Sequence, residues 1–250
     1  MSAFAHLFAQ PVRLLAPMEG LTDPLMRQIL TQIAHDLGRP YDWSVSEFIR
    51  VTHYPLPAHV FYKYVPELHT NGKTTSGTPI HVQLLGNNPE TMSQSAVTAV
   101  SLGACAIDLN FGCPAKTVNN HKGGSVLLDE PDTLHAIISA VRGAAPAHIP
   151  VSAKIRLGYT DMDKMHDIGQ AVKSANASWL TIHARTKVQG YKPPCLLGQN
   201  RPLYRAWLAH HCQWRDLERY SCPRLHQSGK HTALDAWAWG GNSPRPCGKY

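Results

Sequence analysis

The chain has 250 residues, 43% hydrophobic and 16% charged, a globular composition sized for one large domain or two small ones. No stretch approaches the roughly 20 apolar residues of a membrane helix, and residues 1–13 lack the basic start and apolar core of a secretory signal, so a spanning or exported protein is not expected. The net charge of +7 invites a nucleic-acid partner, but residues 195–250 carry 8 Lys and Arg against 3 Asp and Glu, while residues 1–194 carry 16 against 14, so most of the excess sits in the last quarter.

In chain order, residues 12–183 alternate short apolar or β-branched runs with helical spacing. VRLLAPM (12–18) reads as a first strand. Thr22 to Asp36 opens on T-D-P, a cap followed by an early proline, and spaces Leu25, Ile29, Leu30 and Ile33 as the apolar face of a helix. WSVSEF (43–48) reads as a second strand, and 49–79, punctuated by prolines and mixed in polarity, as a loop excursion. IHVQLLG (80–86) and CAIDLN (105–110) are strands around a helix from Pro89 to Leu102. A helix from Pro131 to Val141 then leads to strands VSAKIRLG (151–158) and WLTIHA (179–184). This rhythm predicts right-handed βαβ units and a parallel sheet. The fold class is α/β, and six strand candidates stand against the eight of a closed (β/α)8 TIM barrel, so an incomplete barrel is expected.

From Cys195 the texture changes. The last 56 residues hold no Ile, Val, Phe or Met, yet four of the six Trp and four of the six Cys. Buried parallel strands are rich in Val and Ile, so composition excludes a βαβ continuation. Six cysteines (Cys105, Cys113, Cys195, Cys212, Cys222 and Cys247) with no C-x-x-C pair are too sparse for a disulfide scaffold, which makes a reduced, cytoplasmic protein the default. Cys212, Cys222, His226 and His231 fit no short zinc knuckle, and no metal is expected.

The segment richest in chemistry is D-L-N-F-G-C-P-A-K (108–116), followed by TVNNHKGGSVLL (117–128). It follows a strand, so in a barrel it lies at the C-terminal face, where active sites lie. Gly112 and Pro114 constrain the backbone around Cys113, and Gly123-Gly124 permits close approach of the chain to a bulky group. Read alone, Cys113 also fits a buried structural cysteine in a Gly-rich loop.

Together with A-P-M-E-G (16–20), V-Q-L-L-G (82–86), K-I-R-L-G (154–158) and H-A-R-T-K (183–187), this segment resembles the tRNA-dihydrouridine synthases over residues 12–194. P-E-L (66–68) and S-G-T (76–78) resemble the bacterial C-type branch, which reduces the uridine at position 16 of tRNA. The resemblance implies FMN on a TIM barrel, NADPH as electron donor, tRNA as substrate and a helical C-terminal domain. The family's chemistry is hydride transfer from reduced FMN to C6 of the uracil with a proton delivered to C5, and Cys113 matches the family's general acid. By the same resemblance Pro17, Met18 and Glu19 line the flavin ring, Gln83 bonds its polar edge, Lys154 places a cation near N1 and O2, and His183 lies near the cofactor. Asn110, Arg50 and Arg156 match positions near the tRNA or its flipped base. The resemblance implies neither a membrane nor a protein partner, and a monomer is expected.

The resemblance stops after Pro194. The family continues with A-Y-W, then strands ending A-N-G-E-I and G-R-G-A, whose turns hold the FMN phosphate. None of these stands in the chain. Read one base ahead, with only wobble bases free, residues 195–197 permit A-Y-W, residues 210–218 permit I-I-A-N-G-E-I-W-S, and residues 235–240 permit M-L-G-R-G-A. The expected organisation is an N-terminal extension (1–11), a truncated FMN-binding barrel (12–194) and an out-of-frame tail (195–250). Both the first strand and the strand ending near His183 are then expected as open edges. The competing readings are a non-enzymatic, misfolded fragment and a basic RNA-binding protein that uses the tail.

Overall fold

The computed structural model describes residues 12–191 and the backbone of one further strand, Ala236–Trp239. The remaining residues, which include the expected extension and nearly all of the expected tail, lie outside this description. The strands are β1 (Leu14–Leu15), β2 (Trp43–Val45), β3 (Ile49–Arg50), β4 (Ile80–Leu85), β5 (Ile107–Phe111), β6 (Val151–Arg156), β7 (Leu180–His183) and β8 (Ala236–Trp239). The helices are α1 (Pro24–Asp36), α2 (Ala58–Tyr64), α3 (Pro89–Ser101), α4 (Lys116–Asn119), α5 (Pro131–Ala144) and α6 (Met165–Ser174).

The sheet order is β1-β2-β4-β5-β6-β7-β8, with β3 also paired to β4. Every pairing up to β7 is parallel. All six sequence-derived strands are present. The run at 43–48 is interrupted rather than continuous: between β2 and β3 the Ser46 hydroxyl accepts the Gln83 N–H at 3.0 Å in place of a ladder carbonyl.

Strand alternation sorts the side chains cleanly. Ile80, Val82, Leu84, Ile107, Leu109, Val151, Ala153, Ile155, Leu180 and Ile182 join one core with Met92, Ala96 and Ala99 of α3, Leu134, Ile137, Ile138 and Val141 of α5, and Ile168 and Val172 of α6. Each such burial is worth about 1.5–3 kcal/mol for a large aliphatic side chain. The intervening residues, His81, Gln83, Asp108, Asn110, Ser152, Lys154, Arg156, Thr181 and His183, occupy the other face, and nearly all are polar and buried. That face is concave. Trp43 of β2 and Trp179, just before β7, stand 5.8 Å apart although their strands are not neighbours, and the His81 ring stacks on Trp43 at 5.2 Å. The sheet is therefore a curled half-barrel of about six strands, an incomplete TIM barrel.

The helices start where their caps dictate. The Asp23 carboxylate accepts the Met26 N–H at 2.8 Å, and Pro24 follows it; the Asn88 side chain accepts the N–H groups of Glu90 and Thr91, and Pro89 follows it. The excursion at 49–79 is more ordered than expected. It holds β3, α2 and a 3-10 turn at Pro66–Thr70. Pro57 and Pro66 sit at the start of these elements, where a missing N–H costs nothing, so the prolines begin structure rather than break it.

The face of α1 also departs from expectation. Its buried residues are Arg27 and Thr31, whereas Leu25, Ile29 and Ile33 are exposed. Arg27 is drawn inward by Glu67 of the 3-10 turn: Nε donates to Oε1 at 3.0 Å and Nη2 to Oε2 at 2.9 Å, while Nη1 and Nη2 donate to the carbonyls of Thr22 and Tyr64. Of the two edges expected to be open, β1 has only β2 beside it among the described residues. The edge of β7 is taken by β8, which pairs antiparallel, the opposite of what a barrel continuation requires. No helix among the described residues is long and apolar enough to cross a membrane.

Candidate active site

The concave face is knitted by a continuous hydrogen-bond chain. Parallel register sets Gln83 beside Asp108, Asp108 beside Ser152, and Asn110 beside Lys154. Ser152 Oγ donates to Asp108 Oδ1 at 2.5 Å and Gln83 Nε2 donates to Asp108 Oδ2 at 2.7 Å. Asn110 Nδ2 then donates to Gln83 Oε1 at 2.9 Å. Finally, Asn110 Oδ1 accepts the N–H groups of Gly112 at 2.9 Å and Cys113 at 3.0 Å. The buried carboxylate at one end thus orients two amides in series, and the last amide fixes the turn that carries the thiol.

The Cys113 turn is held from its other side as well. Its carbonyl accepts from Asn119 Nδ2 at 3.1 Å and from the Ser125 N–H at 3.0 Å, and Ser125 Oγ donates to Asn119 Oδ1. Gly124 stands at φ +66°, and a Cβ there would meet the Cys113 carbonyl oxygen at 2.8 Å. The close approach that Gly123-Gly124 permits is therefore to the Cys113 backbone itself. The thiol is buried beside Leu85 and Val118. Burial pushes its pKa above the usual thiol value, Glu19 adds to that, and Arg156 and Arg50 oppose it. The group stays a protonated thiol at neutral pH, the form a proton donor needs.

Arg156 is buried and bonded to backbone carbonyls. Nε donates to the Gly112 carbonyl at 2.8 Å, Nη1 donates to the carbonyls of Thr186 and Gly190, and the guanidinium lies 5.2 Å from the Tyr191 ring. It clamps the Cys113 turn to the loop after β7. Lys154 is half-buried, and among the described residues its Nζ has no hydrogen-bond or ion-pair partner. Burial lowers its pKa to about 8, against the pull of Asp108. His183, next to Arg156 in register, is held neutral: burial and the cations Arg156, Lys154 and Arg185 lower its pKa to about 3. Its Nε2 is 3.3 Å from Arg185 Nη1, which is then the donor.

The turn after β1 forms the rim. The Met18 N–H donates to Thr22 Oγ1 at 2.8 Å, and the Gly20 N–H donates to Glu47 Oε1 at 2.6 Å. Pro17 and Met18 are half-buried, and Glu19 is exposed yet close enough for its charge to act on Cys113. Arg50, the last residue of β3, donates from Nη2 to the Thr117 carbonyl at 3.4 Å. The structure thus links Gln83, Asn110 and Cys113 directly, ties Arg156 to the same turn, and sets Lys154 and His183 beside them. It uses both polar ends of the Gln83 amide internally, and it gives Asn110 a positioning task. Asp108, Ser152, Asn119 and Ser125 were not singled out from the sequence. The alternation D-x-N in β5 carried the signal for Asp108, since it puts two polar residues on one face of an otherwise apolar strand.

Residues 14–196 match the family model described as dihydrouridine synthase. The tRNA-dihydrouridine(16) synthase of Pseudomonas syringae pv. tomato is 52% identical over 180 residues, which are 72% of this chain and 55% of that protein. The protein of the same description from Vibrio parahaemolyticus is 54% identical over 178 residues, 71% of this chain and 54% of its own. That from Neisseria meningitidis serogroup B is 50% identical over 181 residues, 72% and 53%. The chain therefore spans about half the length of the curated relatives it matches. With the motif order, the parallel half-barrel and the buried cysteine turn in agreement, the chain belongs to the dihydrouridine synthase family.

Proposed function

We propose that this chain carries the catalytic half of an FMN-dependent tRNA-dihydrouridine synthase, which reduces a uridine of the tRNA D-loop, at position 16, to 5,6-dihydrouridine with NADPH as reductant. The observation that supports it most is the buried, protonated Cys113, fixed at both its N–H and its carbonyl on the turn that follows β5, with Lys154 on the neighbouring strand β6. FMN is implied by family, and the donor set suits its ring: Lys154, without a hydrogen-bond partner among the described residues, offers a cation to an electron-rich, anionic edge, and Pro17 and Met18 offer half-buried apolar surface. When bound, FMN reduced by NADPH supplies the hydride that reaches C6 of the uracil.

The protein's own residues handle the proton and the alignment. Cys113 Sγ–H gives its proton to C5 of the ring, where negative charge accumulates. Asn110 and Arg156 hold the turn from which that thiol projects, and the Asp108 carboxylate orients Asn110 through Gln83. Lys154, positively charged below about pH 8, favours a reduced, anionic cofactor. Glu19 and Arg50 border the thiol and act on it through charge. The uridine has to leave its stack to meet these groups, so the partner is tRNA, bound by a monomer in the cytoplasm.

The same reading treats residues 195–250 as an out-of-frame tail and the chain as written as defective. Two findings support it: the family match ends at residue 196, and β8 lies antiparallel where a parallel strand belongs. The direct test restores the frame from codon 195 and compares Cys113→Ala with its parent. Dihydrouridine in tRNA, read by mass spectrometry, is expected to fall about 10²- to 10⁴-fold while flavin retention and NADPH oxidation persist. An unchanged dihydrouridine yield would remove Cys113 from the reaction.

A further inference from the structure

We propose that Lys187 and Tyr159 are positioning residues for Cys113: they staple the turn after β7 to the loop after β6, and that turn holds Arg156 against the peptide that carries the thiol. The inference rests on the reading of Cys113 as the proton donor.

The peptide unit between Gly112 and Cys113 is gripped at both ends. Its N–H donates to Asn110 Oδ1 at 3.0 Å, and its oxygen accepts from Arg156 Nε at 2.8 Å. Two side chains therefore set its direction, and with it the direction in which the thiol leaves the backbone. Asn110 comes from β5 itself. Arg156 reaches over from β6, and a long side chain with several donors has many ways to lie. It is aimed from its far end, where Nη1 donates to the carbonyls of Thr186 at 3.3 Å and Gly190 at 3.1 Å. Only a tightly turned segment presents both carbonyls to one nitrogen.

That segment is closed on itself. The Thr186 N–H donates to Gln189 Oε1 at 2.8 Å, the Gln189 N–H to Thr186 Oγ1 at 3.3 Å, and the Gly190 N–H to the Lys187 carbonyl at 3.1 Å. It is then tied to the loop after β6. The Lys187 N–H donates to the Gly158 carbonyl at 3.0 Å, and the Val188 N–H to the Tyr159 carbonyl at 3.1 Å. A side-chain contact completes the tie: Lys187 Nζ donates to the Tyr159 hydroxyl at 3.2 Å and lies 4.6 Å from the centre of the same ring. Both residues are half-buried, so this cation–ring contact is stronger than one in open water. Gly158 lets Tyr159 leave β6 in the required direction, since a Cβ there would collide with the Asp161 carbonyl oxygen. The line of contacts thus runs from Tyr159 through Lys187, the 186–190 turn and Arg156 to the Cys113 peptide.

The test uses the frame-restored, full-length protein and four variants. Tyr159→Phe keeps the ring and loses the hydroxyl, Lys187→Met keeps the stem and loses the ammonium, a third carries both changes, and the fourth is Lys187→Arg. The first readout needs neither flavin nor tRNA. It is the rate at which iodoacetamide alkylates Cys113, followed by peptide mass spectrometry, with the half-buried Cys105 as the reference for general opening. Lys187→Met is expected to speed alkylation of Cys113 about 3- to 10-fold, the range of one hydrogen bond, and to leave Cys105 unchanged. The double variant is expected to match Lys187→Met, because both residues act through one contact. Lys187→Arg, which can still donate to the hydroxyl and stack on the ring, is expected to stay within about twofold of the parent. The second readout separates the half-reactions. In Lys187→Met, single-turnover dihydrouridine formation by pre-reduced enzyme is expected to slow about 3- to 10-fold, while flavin retention and NADPH oxidation match the parent. The proposal is overturned if Cys113 alkylates no faster in Lys187→Met, if Cys105 opens to the same degree, or if the effects of Tyr159→Phe and Lys187→Met add. It is also overturned if Lys187→Met lowers flavin retention or NADPH oxidation, which would mean that Lys187 serves a ligand. Selective alkylation as expected, in a parent that makes no dihydrouridine, would uphold the staple and sink the proposed reaction, so the two failures are distinguishable.

Discussion

Lys154 is the residue whose charge state the site depends on most. Its pKa is lowered to about 8, first by burial, with Asp108 opposing that shift. Burial in turn raises the Asp108 carboxyl, and its bonds to Ser152 and Gln83 restrain the rise. The sign for an anionic ligand follows. Below about pH 8 the ammonium is present and attracts it; above that value the free protein loses the charge and affinity falls. In frame-restored protein, FMN affinity is expected to drop as pH rises through about 8, and in Lys154→Met it is expected to be weaker and flat over the same range. Flavin fluorescence titrations between about pH 7 and about pH 9 check this. A parent protein with no pH dependence there would mean that Lys154 does not face the ligand. At this scale motif letters named Cys113 and Lys154, and the structure sets Cys113 on the turn after β5 and Lys154 on the polar face of β6. The sequence was less legible for Gln83, Asn110 and Arg156, because their partners come from other strands and from backbone carbonyls far along the chain. Register places Asn110 and Gln83 side by side, and no local pattern encodes register.

At the scale of elements, the strands were readable because parallel strands buried against helices must be rich in Val, Ile and Leu, and the prolines and caps marked three helix starts. The orientation of α1 was not readable. Spacing identified the apolar side of the helix but not which side faces the protein, and a buried charge pair settled it the other way. That pair is worth a prediction. Glu67 and Arg27 are both almost wholly buried, and four bonds satisfy the guanidinium. In frame-restored protein, Glu67→Ala strands an unpaired buried cation and is expected to cost about 3–5 kcal/mol. The double variant Arg27→Met with Glu67→Leu is expected to cost less than the single one, because it removes the unpaired charge and leaves only the carbonyls of Thr22 and Tyr64 without partners, about 1–3 kcal/mol each at most. Urea denaturation of the three proteins measures both. A single variant as stable as its parent would show that α1 is anchored by something other than this pair.

At the scale of the molecule, the polar concave face belongs with the edge of β1, which is open among the described residues. A face bearing Asp108, Lys154, Arg156 and His183 is the candidate active-site wall, and a TIM barrel keeps such a wall only if its other strands close around it. On the truncated reading proposed above, six strands would leave the inner layers short of two strands' side chains. Core losses of about 2–5 kcal/mol each are large beside a native stability of about 5–15 kcal/mol. The exposed apolar residues of α1 and the edge of β1, which has no second strand among the described residues, add surface that promotes association. The change in composition at Cys195 is the sequence feature from which that reading starts. The antiparallel seating of β8 on β7 was not foreseeable, because strand direction at an edge is set by where the chain returns and not by its residues.

The measurement that bears most directly on this account is the visible absorbance of the 250-residue chain as written, taken on material resolved by size exclusion and followed by thermal melting. The expected result is a product that is largely insoluble or molten, colourless, and without a cooperative transition, in which a site wall is present on a barrel that does not close. A yellow, monodisperse preparation that melts cooperatively would contradict it.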